Sequence, residues 1–391
     1  MSGAGRHLAF LCPRYAGAAG AGGAETLIKS LAQRSVKAGY RVTFLTTCAV
    51  DHFSWKNVLP PGSRIEDGLE VRFFPVDEGR DEAAFHAAQD RLCRRASIPP
   101  DVEVQWFRHG VHSSALLTHL REEGGQYDRI LAGPYLFGLV IAAAQQSPDR
   151  TWLIPCLHDE PFTRLSVIRE MMTRVRGCLF NFEPEQRLAG RIFGFDPRRG
   201  VVVGMGLEPF EVDPAAFAAR HKLHSPYVMY AGRREPAKST PLLVDYLDAF
   251  RKRTGQDVRF VCCGSGPFEQ RSFVKDLGFV TEREKHEAMA GATAFIHPSR
   301  FESLGIVLLE SFLAGTPGLV SSQSEVLRWQ CARSGAGLWW RGYPDFEEEL
   351  MCLLSDRDLR DRMGRQGRDF VRSEYAWEAV DRRLFEALDR G

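Results

Sequence analysis

The sequence predicts an α/β protein built from two Rossmann-like domains, each a parallel sheet covered by helices. Three observations carry this. Short apolar runs of strand length alternate with stretches of helical period through both halves of the chain, the pattern of parallel strands joined by helices. The chain has 391 residues, more than one hydrophobic core usually serves, so two domains of roughly 150 to 200 residues are the natural division. Glycine-rich turns follow the apolar runs Leu8 to Cys12 and Val258 to Cys263, as they do where open α/β sheets bring backbone close to a ligand.

In the first half, Leu8 to Cys12 reads as a strand, followed by Pro13-Arg14-Tyr15 and a glycine-rich run from Ala16 to Ala24. Glu25 to Ala38 has an amphipathic helical period, and Arg41 to Thr46 is the next strand. A strand, a glycine loop and a helix suit a phosphate at the helix N-terminus. The spacing is neither that of a dinucleotide fingerprint nor that of a P-loop. Arg80 to Arg95 mixes both signs of charge and is expected as an exposed helix, with Arg91, Arg94 and Arg95 able to meet an anionic partner. Thr151 to Leu157 is an apolar strand that ends in His158-Asp159-Glu160-Pro161. His158 falls at the carboxyl end of a strand, where ligands bind in such sheets; the other reading is a histidine capping the strand in a packed loop. Asp159 and Glu160 have no partners at metal-ligand spacing. Gly200 to Gly204 is expected as the last strand of a first domain, residues 1–205, with a linker at 206–225.

The second domain is expected at 226–374. Tyr227 to Gly232 is a buried-strand pattern that runs into Arg233-Arg234-Glu235-Pro236-Ala237-Lys238. A guanidinium can fork across two phosphate oxygens while an ammonium acts as a mobile point charge, so Arg233 and Lys238 suit a pyrophosphate. Thr240 to Arg253 places Leu242, Leu243, Leu247 and Phe250 at helical spacing, and Val258 to Cys263 is a strand entering Gly264-Ser265-Gly266-Pro267. A loop at Leu277-Gly278-Phe279-Val280 follows. Thr293 to His297 is a short buried strand ended by Pro298, and Ile306 to Ala314 a helix stopped by Gly315-Thr316-Pro317. Glu302 then lies in a loop and Glu310 about two turns into the helix. The amides of Ser303, Leu304, Gly305 and Ile306 form a helix N-terminus fit for an anion, while the two carboxylates can accept from vicinal hydroxyls. The tail at 375–391 has a helical pattern.

Four motifs in this order, Gly22-Gly23-Ala24-Glu25, His158, Arg233 with Lys238, and Glu302 with Glu310 at the spacing E-x7-E, resemble the retaining glycosyltransferases of family 4. The resemblance covers nearly the whole chain. It implies the GT-B fold, two Rossmann-like domains with a cleft between them and a C-terminal helix crossing back to the first. It implies transfer of a sugar from a nucleoside diphosphate, as UDP-, GDP- or dTDP-sugar, to an acceptor hydroxyl with retention of anomeric configuration. Glu310 would hold the ribose hydroxyls, Arg233 and Lys238 the diphosphate, and Glu302 with the amides of Ser303 to Ile306 the sugar. Gly22 and Gly23 would face the diphosphate and His158 the transferred sugar. Phe279 and Val280 would border the base, although Phe279 also reads as a core aromatic. The family usually has glycine directly after the lysine, where this chain has Ser239, which puts the loop conformation there in question. A glycan or lipid-linked acceptor is expected, with a small secondary metabolite as the alternative. The rival readings are a nucleotide-sugar epimerase of similar fold and a two-lobed binding protein. No metal or other cofactor is expected, because Arg233, Lys238 and helix N-termini can carry the phosphate charge.

Composition agrees. With 51 basic against 50 acidic side chains the chain has no global attraction for nucleic acid. Nine cysteines without a C-x-x-C pair suit reduced thiols and the cytoplasm more than a disulfide framework. No run approaches the ~20 apolar residues of a membrane span, so any membrane contact is expected to be peripheral, at the inner face.

Overall fold

The computed structural model describes residues 5–16, 22–52, 54–94, 99–266 and 271–389. Residues 17–21 of the glycine run, Arg95, Pro267 and the last two residues of the expected tail lie outside these. The chain forms two compact units, Met1–Met205 with Asp381–Gly391, and Gly206–Val380.

In the first unit β1 (His7–Leu11), β2 (Arg41–Thr47), β3 (Gly62–Glu66), β4 (Leu69–Phe74), β5 (Arg129–Ala132), β6 (Thr151–Leu153), β7 (Gly177–Phe180) and β8 (Gly200–Val202) form one sheet in the order β3-β4-β2-β1-β5-β6-β7-β8. All pairs are parallel except β3–β4. The central strand β1 is buried along its whole length, as expected of a strand covered on both faces. The core joins Leu11, Trp106, Tyr135, Leu153, Ile168 and Phe180, each fully buried side chain of this size stabilising by roughly 1.5–3 kcal/mol.

In the second unit β9 (Tyr227–Ala231), β10 (Arg259–Cys263), β11 (Val274–Asp276), β12 (Ala294–His297), β13 (Gly318–Ser321) and β14 (Gly337–Trp340) are all parallel, in the order β11-β10-β9-β12-β13-β14. Tyr230, Phe250, Phe260, Ile296 and Phe346 make its core. The order steps from β9 to β10 on one side and to β12 on the other, so the loops leaving β9 and β12 meet at a topological switch point.

Several elements differ from the sequence reading. Residues 206–225 are not a plain linker, since Pro214–His221 is a helix. Asp213 caps it, accepting from Ala215 N at 2.9 Å and Ala216 N at 3.1 Å, and the helix is tied to helix Glu282–Gly291 by Arg220–Glu287 and His221–Glu284. The helix expected at Arg80 to Arg95 spans Glu82–Arg94 and is not wholly exposed, because Ala88 and Leu92 are buried. β6 stops at Leu153, and the chain continues to Leu157 as buried, irregular backbone with Cys156 at φ 53°. The nine cysteines are free thiols, Cys93 and Cys352 exposed and the others buried.

Candidate functional site

The loop after β9 separates two adjacent arginines. Gly232 has φ 144°, and Gly264 packs so closely that a Cβ there would lie 2.2 Å from Gly232 O; the glycines are therefore what lets the two loops touch. Arg234 turns inward, its N donating to Ser265 O (2.7 Å) and its Nη2 to Gly264 O (3.0 Å), and is ion-paired with Asp276. Arg233 points out, 55% exposed, with Glu235 3.7 Å away. Tyr230 Oη donates to Arg233 O at 2.7 Å and so fixes the backbone that carries it. The loop closes in a 3-10 turn, Pro236–Lys238, and Ser239 takes the left-handed conformation, φ 56°, ψ 26°. The position has the backbone that favours glycine, with serine occupying it.

Lys238 Nζ donates to Glu302 Oε1 at 2.5 Å, which joins the loop after β9 to the loop after β12. Buried His297 lies behind, its Nε2 3.7 Å from the same oxygen. Burial pushes the His297 imidazole down to about 4, against the pull of Glu302, so it is neutral at pH 7. Beyond Ser303 and Leu304 the chain enters the helix Ile306–Ala314 through Gly305, φ 58°, with no side-chain cap at the N-terminus. A Cβ at Gly305 would come 2.7 Å from Leu327 Cδ2. Gln330 Nε2 donates to Leu304 O at 2.7 Å and holds the turn from below. The helix thus presents first-turn amides of the kind that bind anions.

Glu310 stands apart from Glu302, in a cluster of its own. Lys285 Nζ donates to Glu310 Oε1 at 3.0 Å, lies 2.9 Å from Oε2, and reaches Glu282 Oε2 at 2.7 Å. His286 is next to it and stacks on Phe210, with centroids 3.7 Å apart and planes at 7°. Burial alone would raise the Glu310 carboxyl; hydrogen bonds from His286 and Lys285 and their charge outweigh it and hold it below the usual carboxylate range. Among the described residues Glu282, His286 and Glu310 form the group with metal-ligand spacing, and the Lys285 ammonium already sits between its two carboxylates. Phe279 is 80% exposed and Val280 is half-buried, so Phe279 is not a core aromatic.

In the first unit Gly22 is the N-cap of helix Gly23–Lys37, without a side-chain cap bond. Glu25 is buried in its first turn and ion-paired with buried Arg14. His158 is half-buried, its Nδ1 3.5 Å from Glu160 Oε1, which accepts from Tyr135 Oη at 2.6 Å. Lys285, His286, His297 and Arg14 were not read from the sequence as site residues. For Lys285 and His286 the only local signal is Glu282-x-x-Lys285-His286, one helix face; what gives it meaning is Glu310, 25 residues on from Lys285.

Two exposed or half-exposed cations, a carboxylate bound to one of them and an uncapped helix N-terminus meet at the carboxyl edge of one parallel sheet, a setting for a ligand that carries both a diphosphate and hydroxyls. Two parallel α/β units in one chain are the parts from which the GT-B fold is built. Residues 213–370 match the family described as Glycosyl transferases group 1. A GDP-mannose-dependent alpha-(1-6)-phosphatidylinositol monomannoside mannosyltransferase of Mycobacterium tuberculosis is 27% identical over 47% of this chain, which spans 54% of that relative's length. A D-inositol 3-phosphate glycosyltransferase of Streptomyces bingchenggensis is 25% identical over 93% of this chain and 83% of its own. Among solved structures, sucrose-phosphate synthase from Thermosynechococcus elongatus superposes with a TM-score of 0.73 at 16% identity, over 98% of each chain. The matched residues 213–370 lie within the second unit, which is thus similar to the Glycosyl transferases group 1, and the chain shares the two-domain GT-B fold of the sucrose-phosphate synthase. Among the described residues no helix is long and apolar enough to cross a membrane.

Proposed function

We propose that this protein transfers a sugar from a nucleoside-diphosphate sugar to an acceptor hydroxyl in glycan or glycolipid biosynthesis, with retention of anomeric configuration and without a required metal or other cofactor. The observation that carries this reading is the Lys238–Glu302 pair at 2.5 Å, beside Arg233 and the open terminus of helix Ile306–Ala314. A diphosphate next to a sugar needs that combination, cations and amides for the phosphates and a carboxylate for the hydroxyls. Arg233 and Lys238 hold the diphosphate and neutralise it as it departs. Glu302 and the amides of Ser303 to Ile306 take the sugar, and Glu310 takes the ribose hydroxyls with Lys285 as its counter-charge. Phe279 and Val280 border the base, Gly22 and Gly23 serve the diphosphate, and His158 serves the transferred sugar. The free thiols support a cytoplasmic setting, with at most peripheral contact at the inner face of the membrane. The relative named for a phosphatidylinositol monomannoside supports a lipid-linked acceptor, and the one named for D-inositol 3-phosphate supports a small phosphorylated one as the alternative.

Calorimetry with UDP and GDP tests the site. Arg233→Ala and Lys238→Ala each remove a charge-assisted hydrogen bond worth about 1.5–3 kcal/mol, so the nucleotide that binds the natural chain should bind roughly ten- to a hundredfold more weakly. Unchanged affinity in both variants would remove the diphosphate from this loop.

A further inference from the structure

Among the described residues Glu185 is the most deeply buried carboxylate that the proposed reaction leaves unused. It lies in the first turn of helix Glu183–Phe193 and is 1% exposed. Its Oε1 accepts from Leu157 N at 2.6 Å and its Oε2 from Asn181 N at 2.6 Å. One side chain therefore ties together the segments that leave β6 and β7. Asn181 Nδ2 adds a weak bond to Cys156 Sγ at 3.7 Å. The tied segment is strained, with Cys156 at φ 53°, a region that L residues enter rarely and that surrounding structure must hold. The residue after Leu157 is His158.

We propose that Glu185 is a positioning residue for His158, fixing the loop after β6 only while its carboxylate is ionised. The chemistry of the group dictates that condition. An ionised carboxylate accepts at both oxygens, whereas a protonated one turns one oxygen into an O–H that faces an N–H donor. Protonation therefore breaks one of the two ties. Burial pushes the Glu185 carboxyl up to about 7, with the two backbone N–H bonds and the charge of His158 pulling the other way. The groups facing it are few. His158 faces it from the loop after β6. From β7 comes the Cys178 thiol, which burial raises and keeps neutral, with Arg199 acting on that thiol. On its own helix Glu183 is exposed and lies 3.6 Å from Arg187.

Stability and positioning then pull in opposite directions. The folded carboxyl titrates at about 7 against an ordinary 4.5, so between those values the folded chain binds a proton that the unfolded chain does not. Glu185 stabilises the fold at acid pH, and that contribution is lost as pH rises through about 7. The same rise forms the two-armed tie that holds His158.

This inference rests on the proposed role of His158, and the experiment separates the two. Amide NMR of the full chain from pH 5.5 to 8.5 should show the Leu157 and Asn181 protons titrating together with one midpoint near 7, and Glu185→Gln should abolish that titration. Release of nucleoside diphosphate from UDP-glucose and GDP-mannose, used as probes, should fall at least tenfold in kcat in Glu185→Gln at pH 8 with donor KM unchanged, and the natural chain's acid limb near 7 should vanish. Amides that do not titrate together overturn the tie. Natural kcat in Glu185→Gln, or a low kcat that keeps the acid limb, overturns the positioning role when His158→Ala is impaired. Natural kcat in His158→Ala instead overturns the role of His158, and the positioning role with it, even where the amides titrate as expected.

Discussion

Ser239 carries φ 56° at a site whose backbone suits glycine, and the left-handed region costs an L residue roughly 1–2 kcal/mol. Glycine would avoid that but lose more entropy on folding. Ser239→Gly should therefore stabilise the chain by about 1 kcal/mol or less in urea unfolding, and a destabilised variant would mean that the hydroxyl does something the strain argument omits. Glu310 makes the opposite case. Its carboxylate is buried against Lys285, and removing one partner of a buried pair leaves the other charge uncompensated, at about 3 kcal/mol or more. Lys285 keeps Glu282, 2.7 Å away, which places the expected loss for Glu310→Gln at the lower end. The pH dependence has a definite sign. The Glu310 carboxyl is held below its ordinary value, so its stabilisation is present above that value and lost as pH falls through the folded one. Urea midpoints of the natural chain and Glu310→Gln should differ at pH 7 and converge in acid; a constant gap would show that the pair is not what the mutation removes.

The helix Ile306–Ala314 was legible to the residue, because an apolar run between Gly305 and Gly315 leaves it one place to start and one to stop. Its neighbour Pro214–His221 was missed although Asp213-Pro214 is a cap followed by a first-turn proline; a short alanine-rich segment between two domains reads as connection until helix Glu282–Gly291 is seen against it. Strand positions came through where burial is continuous, as in β9 and β10, and failed past Leu153, where Ile154 to Leu157 stay apolar and buried without pairing as a strand. The order of strands was not readable at all, since pairing joins residues far apart in sequence. Arg233, Lys238 and Glu302 were read from spacing, but nothing local distinguished exposed Arg233 from buried Arg234; that depends on Asp276 and the glycines of the next loop. Gly305 marks where element and site depend on each other. Gly305→Ala forces a Cβ into a left-handed residue 2.7 Å from Leu327 Cδ2, at roughly 1–3 kcal/mol. It should also re-aim the first-turn amides. Both a lower urea midpoint and weaker diphosphate binding are expected, and normal binding in a destabilised variant would detach those amides from the ligand.

At the scale of the whole molecule, Arg233, Lys238, Glu302 and Glu310 come from the unit Gly206–Val380, whereas Gly22, Gly23 and His158 come from the other, and the phosphate charge is assigned to Arg233, Lys238 and backbone amides. Activity should therefore survive thorough treatment with EDTA, and loss that magnesium or manganese restores would place a metal at the diphosphate. The stereochemical outcome follows from the same assignment. Glu302 is engaged by Lys238 at 2.5 Å, which makes it a poor candidate to attack the anomeric carbon, and among the proposed site residues no carboxylate is assigned as a base for attack from the opposite face. The remaining route is attack from the face that the leaving group departs. The bond from the anomeric carbon to the diphosphate oxygen breaks, the acceptor oxygen bonds on that same face, and its proton passes to the departing phosphate, whose growing charge Arg233, Lys238 and the amides stabilise. The product should carry the donor's own anomer in NMR of the first material formed. Glu302→Gln should turn over more slowly through lost sugar contacts and should never trap a glycosyl-enzyme. The inverted anomer, or a sugar adduct on Glu302 by mass spectrometry, would overturn this mechanism while leaving the GT-B fold in place.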